Sequence, residues 1–136
     1  MWPDTAVPAT NYSVQLTIQH QTGETDILTG LLIGSETHHF TAATSPLGYA
    51  ALWQDHTPPF ILHPSSFILP PAPWPHVRGD ANEIWLDVRD GRTTVRINRE
   101  ILWEGEARPE GEIGVFLASY GETAVVEVTA VSLFYD

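Results

Sequence analysis

Between Asn82 and Asn98 the chain is constrained to a paired-strand conformation by the spacing of its apolar residues. Over Asn82–Arg89, Ile84, Leu86 and Val88 alternate with Glu83, Trp85, Asp87 and Arg89, the period-two pattern of a half-buried strand. Asp90-Gly91 follows. This is a strong hairpin signal, because a tight turn needs positive φ and glycine takes it without steric cost. Thr93–Asn98 returns with Val95 and Ile97 inward and Thr94, Arg96 and Asn98 outward. A second turn at Asn98-Arg99 leads to Ile101–Trp103. An acidic loop broken by Gly and Pro, Glu104–Glu110, then leads to strands over Gly111–Tyr120 and Thr123–Tyr135.

The same alternation extends upstream. After an irregular lead over residues 1–11, Tyr12, Val14, Leu16 and Ile18 alternate with Ser13, Gln15, Thr17 and Gln19. Ile27–Ile33 is more continuously apolar, as expected of a strand that is covered on both faces or bent near Gly30. His38–Thr44 and Tyr49–Gln54 form a further pair around Ser45–Gly48, which has proline early and glycine late. The rhythm breaks in a Pro-rich connection, residues 57–76, which holds seven of the eleven prolines. Proline cannot donate to a ladder, so only short edge-strand pieces, Phe60–Leu62 and Phe67–Leu69, fit there. No apolar helical period survives ten residues without Pro or Gly. About ten or eleven short strands in 136 residues predict one all-β domain, a two-sheet antiparallel sandwich.

Composition removes several functions. All six basic residues are arginines, and against 17 carboxylates they leave a formal charge of −11. Binding a phosphate backbone needs a basic footprint, so neither nucleic acid nor an anionic membrane is an expected partner. No apolar run approaches the ~18–20 residues of a membrane span. The start, Met1-Trp2-Pro3-Asp4, lacks the basic and apolar regions of a signal peptide, so none is expected. With no cysteine, disulfides and thiolate chemistry are excluded, while the compartment stays open.

Four stretches carry a family resemblance: Asn82-Glu-Ile-Trp-Leu-Asp-Val-Arg89, Thr94-Val-Arg-Ile-Asn98, Gly111-Glu-Ile-Gly-Val-Phe-Leu-Ala118 and Val126-Glu-Val-Thr-Ala-Val-Ser-Leu133. Gly30-Leu-Leu-Ile33 and Gly48-Tyr-Ala-Ala-Leu-Trp53 precede them in the expected order. Together the chain resembles the concanavalin A-like lectin/glucanase (laminin-G-like) jelly rolls over residues 12–135. The resemblance implies a jelly-roll sandwich and leans towards an extracellular setting. Two positions depart from the pattern. The glycine usual after the turn asparagine is Arg99, and the closing-strand aspartate that helps several relatives hold structural calcium is Thr129. The fold hosts lectins, hydrolases and interaction domains alike, so function has to come from a site.

Outward aromatic residues carry the leading expectation, a non-catalytic recognition module for glycan. Tyr49, Trp53 and Trp85 offer rings for stacking on sugars, with Asp87, Arg96 and Asn98 to bind hydroxyls. The alternative for the tryptophans is structural cover, because large aromatics are usually at least partly buried. A second function is a protein-contact surface, with self-association, through Phe60, Leu62, Phe67, Leu69 and Trp74 of the Pro-rich stretch. That stretch could equally fold over an edge of the sandwich and hide these side chains. A third reading, a glycoside hydrolase, needs carboxyl groups ~5–9.5 Å apart. Glu83 and Asp87 share a strand face with Cα atoms about 13 Å apart, and no Glu-x-Asp-x-Glu run occurs. No metal ligand set is assigned and no cofactor is expected: His38 and His39 point to opposite faces, and His56, His63 and His76 lack a ligand spacing. Glu104, Glu106, Glu110 and Glu112 surround one loop and could collect a structural calcium ion, an expectation that comes mostly through the family resemblance.

Overall fold

The computed structural model describes residues 6–7, 11–23, 27–34, 39–55, 67–106, 109, 111–119 and 124–135. Among the described residues there are eleven strands: β1 (Ala6–Val7), β2 (Tyr12–Gly23), β3 (Ile27–Gly34), β4 (His39–Ser45), β5 (Tyr49–Asp55), β6 (Phe67–Pro73), β7 (Ala81–Arg89), β8 (Arg92–Ile97), β9 (Glu100–Gly105), β10 (Gly111–Ser119) and β11 (Ala124–Tyr135). They form a six-stranded sheet, β1-β10-β3-β4-β5-β6, and a five-stranded sheet, β11-β2-β7-β8-β9. Every pairing is antiparallel. The architecture is the expected jelly-roll β-sandwich. Among the described residues no helix is long and apolar enough to cross a membrane.

The alternation read from the sequence becomes the core. Tyr12, Val14, Leu16 and Ile18 of β2 meet Ile84, Leu86 and Val88 of β7 and Val95 and Ile97 of β8, all buried. Across the sandwich, Leu31, Ile33, Phe40, Ala42, Leu52 and Ile113 close the same cluster from the six-stranded sheet. The Tyr12 hydroxyl donates to the Pro109 carbonyl, which satisfies a buried polar group and ties the β9–β10 connection to the core.

Both hairpin turns of the five-stranded sheet have two successive positive φ values. Asp90 and Gly91 have φ 51° and 80°, and Asn98 and Arg99 have 52° and 74°. This geometry follows the right-handed twist of the flanking strands. The loop between β4 and β5 closes with a Gly48 N–H bond to the Ser45 carbonyl (2.9 Å), Gly48 taking φ 98°.

Three details differ from the sequence expectation. Part of the lead is a strand, since Ala6 and Val7 pair with Glu112 and Gly111. The Pro-rich connection contains a complete edge strand, β6, with register shifts against β5. Its edge position explains how the five residues Leu69-Pro-Pro-Ala-Pro73 fit a sheet, as the missing N–H groups need no partner on the open side. Phe60–Leu62 lies outside the described residues. Thr129 is the unpaired residue of a bulge, because Val128 faces Ile18 and Ala130 faces Thr17.

The central strands of the six-stranded sheet are buried on both sides. β4 is buried at every position, and β3 at all but Leu32. On the face turned away from the five-stranded sheet, Leu28, Ala43, Ala51 and Trp53 form a second apolar cluster. Small residues make this close packing feasible. A Cβ added at Gly30 would lie 1.9 Å from the Ala42 carbonyl oxygen and 2.6 Å from the Ala43 Cα. Backbone cannot yield there as a flexible side chain would. Gly30→Ala is expected to destabilise the fold by about 3 kcal/mol or more. Gly79→Ala is the control, since its Cβ meets only the Pro46 carbonyl at 3.5 Å. Urea unfolding of both variants checks this, and matching midpoints would contradict the packing argument.

Candidate functional site

The six residues expected to bind ligand do not share a surface. Tyr49 and Trp53 project from the outer face of the six-stranded sheet, opposite Ala50 and Leu52, as their strand parity requires. Trp53 is nevertheless 0% exposed, enclosed with Leu28, Ala43 and Ala51. Its ring is a core element and presents no stacking surface. Tyr49 stays exposed beside Pro73. Trp85, Asp87, Arg96 and Asn98 belong to the other sheet.

Of the expected protein-contact residues, Leu69 and Trp74 pack against the main core. Leu69 pairs with Leu52, and the Trp74 ring meets His76 edge-on at 5.2 Å between centroids. These two side chains stabilise the sandwich rather than form a free apolar surface. Phe67 pairs with Trp53 through the backbone, while Phe60 and Leu62 lie outside the described residues.

The outer face of the five-stranded sheet is where polar and aromatic groups converge. Register places Ser132, Gln15, Trp85 and Arg96 side by side across β11, β2, β7 and β8. A parallel row holds Phe134, Ser13, Asp87, Thr94 and Glu104. Cross-strand neighbours of this kind have Cβ atoms ~4.5–5.5 Å apart, so their side chains interact directly.

Trp85 is half-buried in this grid. Its indole N–H donates to Glu83 Oε2 at 3.1 Å, and the Arg99 guanidinium carbon sits 5.5 Å from the ring centroid. Glu83 Oε1 lies 3.7 Å from Arg99 Nε, closing a Glu83–Trp85–Arg99 set. Arg96 Nη1 donates to the Arg99 carbonyl at 3.1 Å. One row away, Glu104 accepts from the Thr94 hydroxyl at 2.8 Å and lies 3.8 Å from Arg92. Burial raises the Asp87 carboxyl above its ordinary range, and the nearby Arg89 and Arg96 guanidinium groups only partly counter it.

Asn98 has a structural task. Its Oδ1 accepts from the Glu83 N–H (2.9 Å), and its Nδ2 donates to the His76 carbonyl (2.6 Å) and to Asn82 Oδ1 (2.9 Å). Asn82 in turn clasps Arg78 through the Arg78 N–H (2.7 Å) and carbonyl (2.9 Å). The two asparagines that carry the family pattern thus bolt the β6–β7 connection to the β8–β9 turn. Asn98 has little capacity left for a ligand.

Gln15, Glu83, Ser132 and Arg99 complete the face, and none of them was among the expected binding residues. Gln15 and Ser132 are brought in by strand register. Arg99 had a local signal: an arginine stands where the turn favours glycine, and a left-handed non-glycine residue costs roughly 1–2 kcal/mol. The carboxylates that flank the acidic loop are divided between the sheets, Glu104 in the five-stranded one and Glu112 in the six-stranded one. Glu110 lies outside the described residues. Among the described residues no three His, Asp or Glu side chains gather as a metal site.

No protein-family model matches the chain, and no curated protein matches it. Solved structures do. The carbohydrate-binding module CBM66 from Bacillus subtilis superposes with a TM-score of 0.65 at 8% identity, covering 93% of this chain and 76% of its own. Sheep galectin-11 gives 0.56 at 11% identity, covering 98% of this chain and 100% of its own. A human galectin-16 variant gives 0.55 at 10% identity, covering 96% and 91%. What they share with this chain is the fold.

Two expectations follow from the geometry. Asn82→Ala and Asn98→Ala should each cost about 1–3 kcal/mol, with the double variant costing less than the sum because the pair is bonded. A double-mutant cycle by urea unfolding measures the coupling, and strict additivity would refute the clasp. For Asp87, a raised folded-state pKa means the folded chain holds the proton longer than the unfolded one. Its unfavourable contribution is absent well below the ordinary value of 3.8 and develops as pH rises through and above it. Asp87→Asn should therefore gain stability relative to the native chain between about pH 3 and pH 7. A stability difference that is flat with pH would contradict this.

Proposed function

We propose that this chain is a non-catalytic carbohydrate-binding module of the concanavalin A-like jelly-roll class, binding through the outer face of its five-stranded sheet. The single observation behind the proposal is Trp85, a half-buried indole on a sheet face with Gln15, Asp87 and Arg96 as its neighbours. An aromatic plane takes the apolar face of a sugar ring, and the flanking amide, carboxyl and guanidinium groups match its hydroxyls. The structural likeness to a carbohydrate-binding module and to galectins, which are jelly-roll lectins, supports the same reading.

In the free chain the Arg99 guanidinium covers the ring. An exposed cation–π contact is worth only ~0.5–1 kcal/mol, so a sugar can take its place. Hydrolysis has less support. Glu83 and Asp87 lie two pleats apart on one strand, and Glu83 is held by the Trp85 N–H and Arg99. This arrangement does not set Glu83 and Asp87 facing each other across a bond.

The test is a glycan-array screen of the native chain beside Trp85→Ala and Trp53→Ala. Trp85→Ala should lose glycan binding while keeping its fold, its unfolding free energy changing by about 1 kcal/mol. Trp53→Ala should instead lose about 3–5 kcal/mol of stability, as expected for emptying a buried aromatic site. Binding that survives Trp85→Ala intact would move the site elsewhere, and a blank array for the native chain would remove the carbohydrate reading.

A further inference from the structure

We propose that the Trp85 face takes a carboxylated sugar, with Arg96 as the residue that reads the carboxylate. The inference rests on the carbohydrate-binding reading above and names the ligand class of that same face.

Charge is distributed unevenly over this chain. It carries −11 overall, yet four of its six arginines, Arg89, Arg92, Arg96 and Arg99, stand on β7, β8 and the turn that follows. Register puts Arg89 opposite Arg92 and Trp85 opposite Arg96. Most carboxylates among them are already engaged. Glu104 is held by Thr94 and Arg92, and Glu83 by the Trp85 N–H and Arg99. Asp87 is shared between two guanidinium groups, those of Arg89 and Arg96, so it does not claim Arg96 alone.

Arg96 is therefore the guanidinium of this group that stands directly opposite Trp85 with donors to spare. Its one hydrogen bond within the described chain runs from Nη1 to the Arg99 carbonyl, and it forms no ion pair there. A guanidinium has five N–H donors in a planar fork whose geometry matches a carboxylate. A pyranose stacked on Trp85 places a ring carboxylate within reach of the neighbouring strand, because directly paired residues have Cβ atoms only ~5 Å apart. A neutral sugar would leave that fork unused. A polyanion such as nucleic acid would need a continuous basic track, which the intervening Glu83, Asp87 and Glu104 interrupt.

Isothermal titration with two acidic probes, tetragalacturonic acid and sialyllactose, tests the proposal against the same two sugars after reduction of their carboxyl groups to alcohols. The native chain should bind at least one intact acid about tenfold or more tightly than its reduced form. In Arg96→Gln that ratio should collapse towards one. Arg96→Lys, which keeps the charge without the fork, should retain only part of the preference. Urea midpoints of both variants separate a lost contact from a lost fold. Equal binding of intact and reduced sugars by the native chain, or a preference preserved in a folded Arg96→Gln, overturns the inference while leaving the carbohydrate reading in place. Absence of binding to every acidic and reduced probe also overturns it, and the array then decides the carbohydrate reading separately.

Discussion

The pairing of β7 with β2 on one side and β8 on the other fixes nearly everything else in the five-stranded sheet. Ile84, Leu86 and Val88 face inward between Leu16, Val14 and Tyr12 and Ile97, Val95 and Thr93. A slip of one residue would turn each of these side chains to solvent and drive Glu83, Trp85, Asp87 and Arg89 into the core. Burial of the apolar set therefore holds the polar set in place. The outward grid of Gln15, Trp85, Arg96 and Asp87 is the reverse side of the core, positioned by strands rather than by loops. Such a platform is rigid, and rigidity reduces the ordering a bound ligand must impose.

The register is pinned at its ends by polar contacts. Asn82 and Asn98 clasp each other and fasten the backbone at His76, Arg78 and Glu83. This clasp closes the turn whose next residue is Arg99, held in a left-handed conformation with its guanidinium over Trp85. Structure and site thus meet at one turn. The asparagine satisfies backbone groups of Glu83 and His76, and the arginine beside it shields the indole and joins it to Glu83. The backbone cost of a non-glycine residue at that position is partly offset by the contact its side chain makes.

The two sheets solve the problem of their outer faces differently. The five-stranded sheet alternates apolar and polar residues, as suits a sheet with one solvated side. The six-stranded sheet buries both sides of its central strands and uses Ala42, Ala43, Ala50, Ala51 and Gly30 where strands and covering groups approach closely. Trp53 belongs to this second arrangement. Parity along β5 placed its ring on the outer face, but parity assigns a side and not an exposure. Trp85 has the same local signature and is only half-buried.

Sequence by itself determined most of the strands and turns, the sandwich and the inward set, because period-two patterning and Asp-Gly or Asn-centred turns act over a few residues. It also placed Trp85, Asp87 and Arg96 on one outward face, since two strands joined by a two-residue turn have a readable register. Tertiary structure alone decided that Trp53 is buried, that Leu69 and Trp74 serve the core, and that Asn98 is consumed by Asn82 and His76. It also brought Gln15, Ser132 and Arg99 to the indole. Each of these outcomes depends on which distant segment packs against a residue, and pairings across tens of residues leave no periodic trace in the chain.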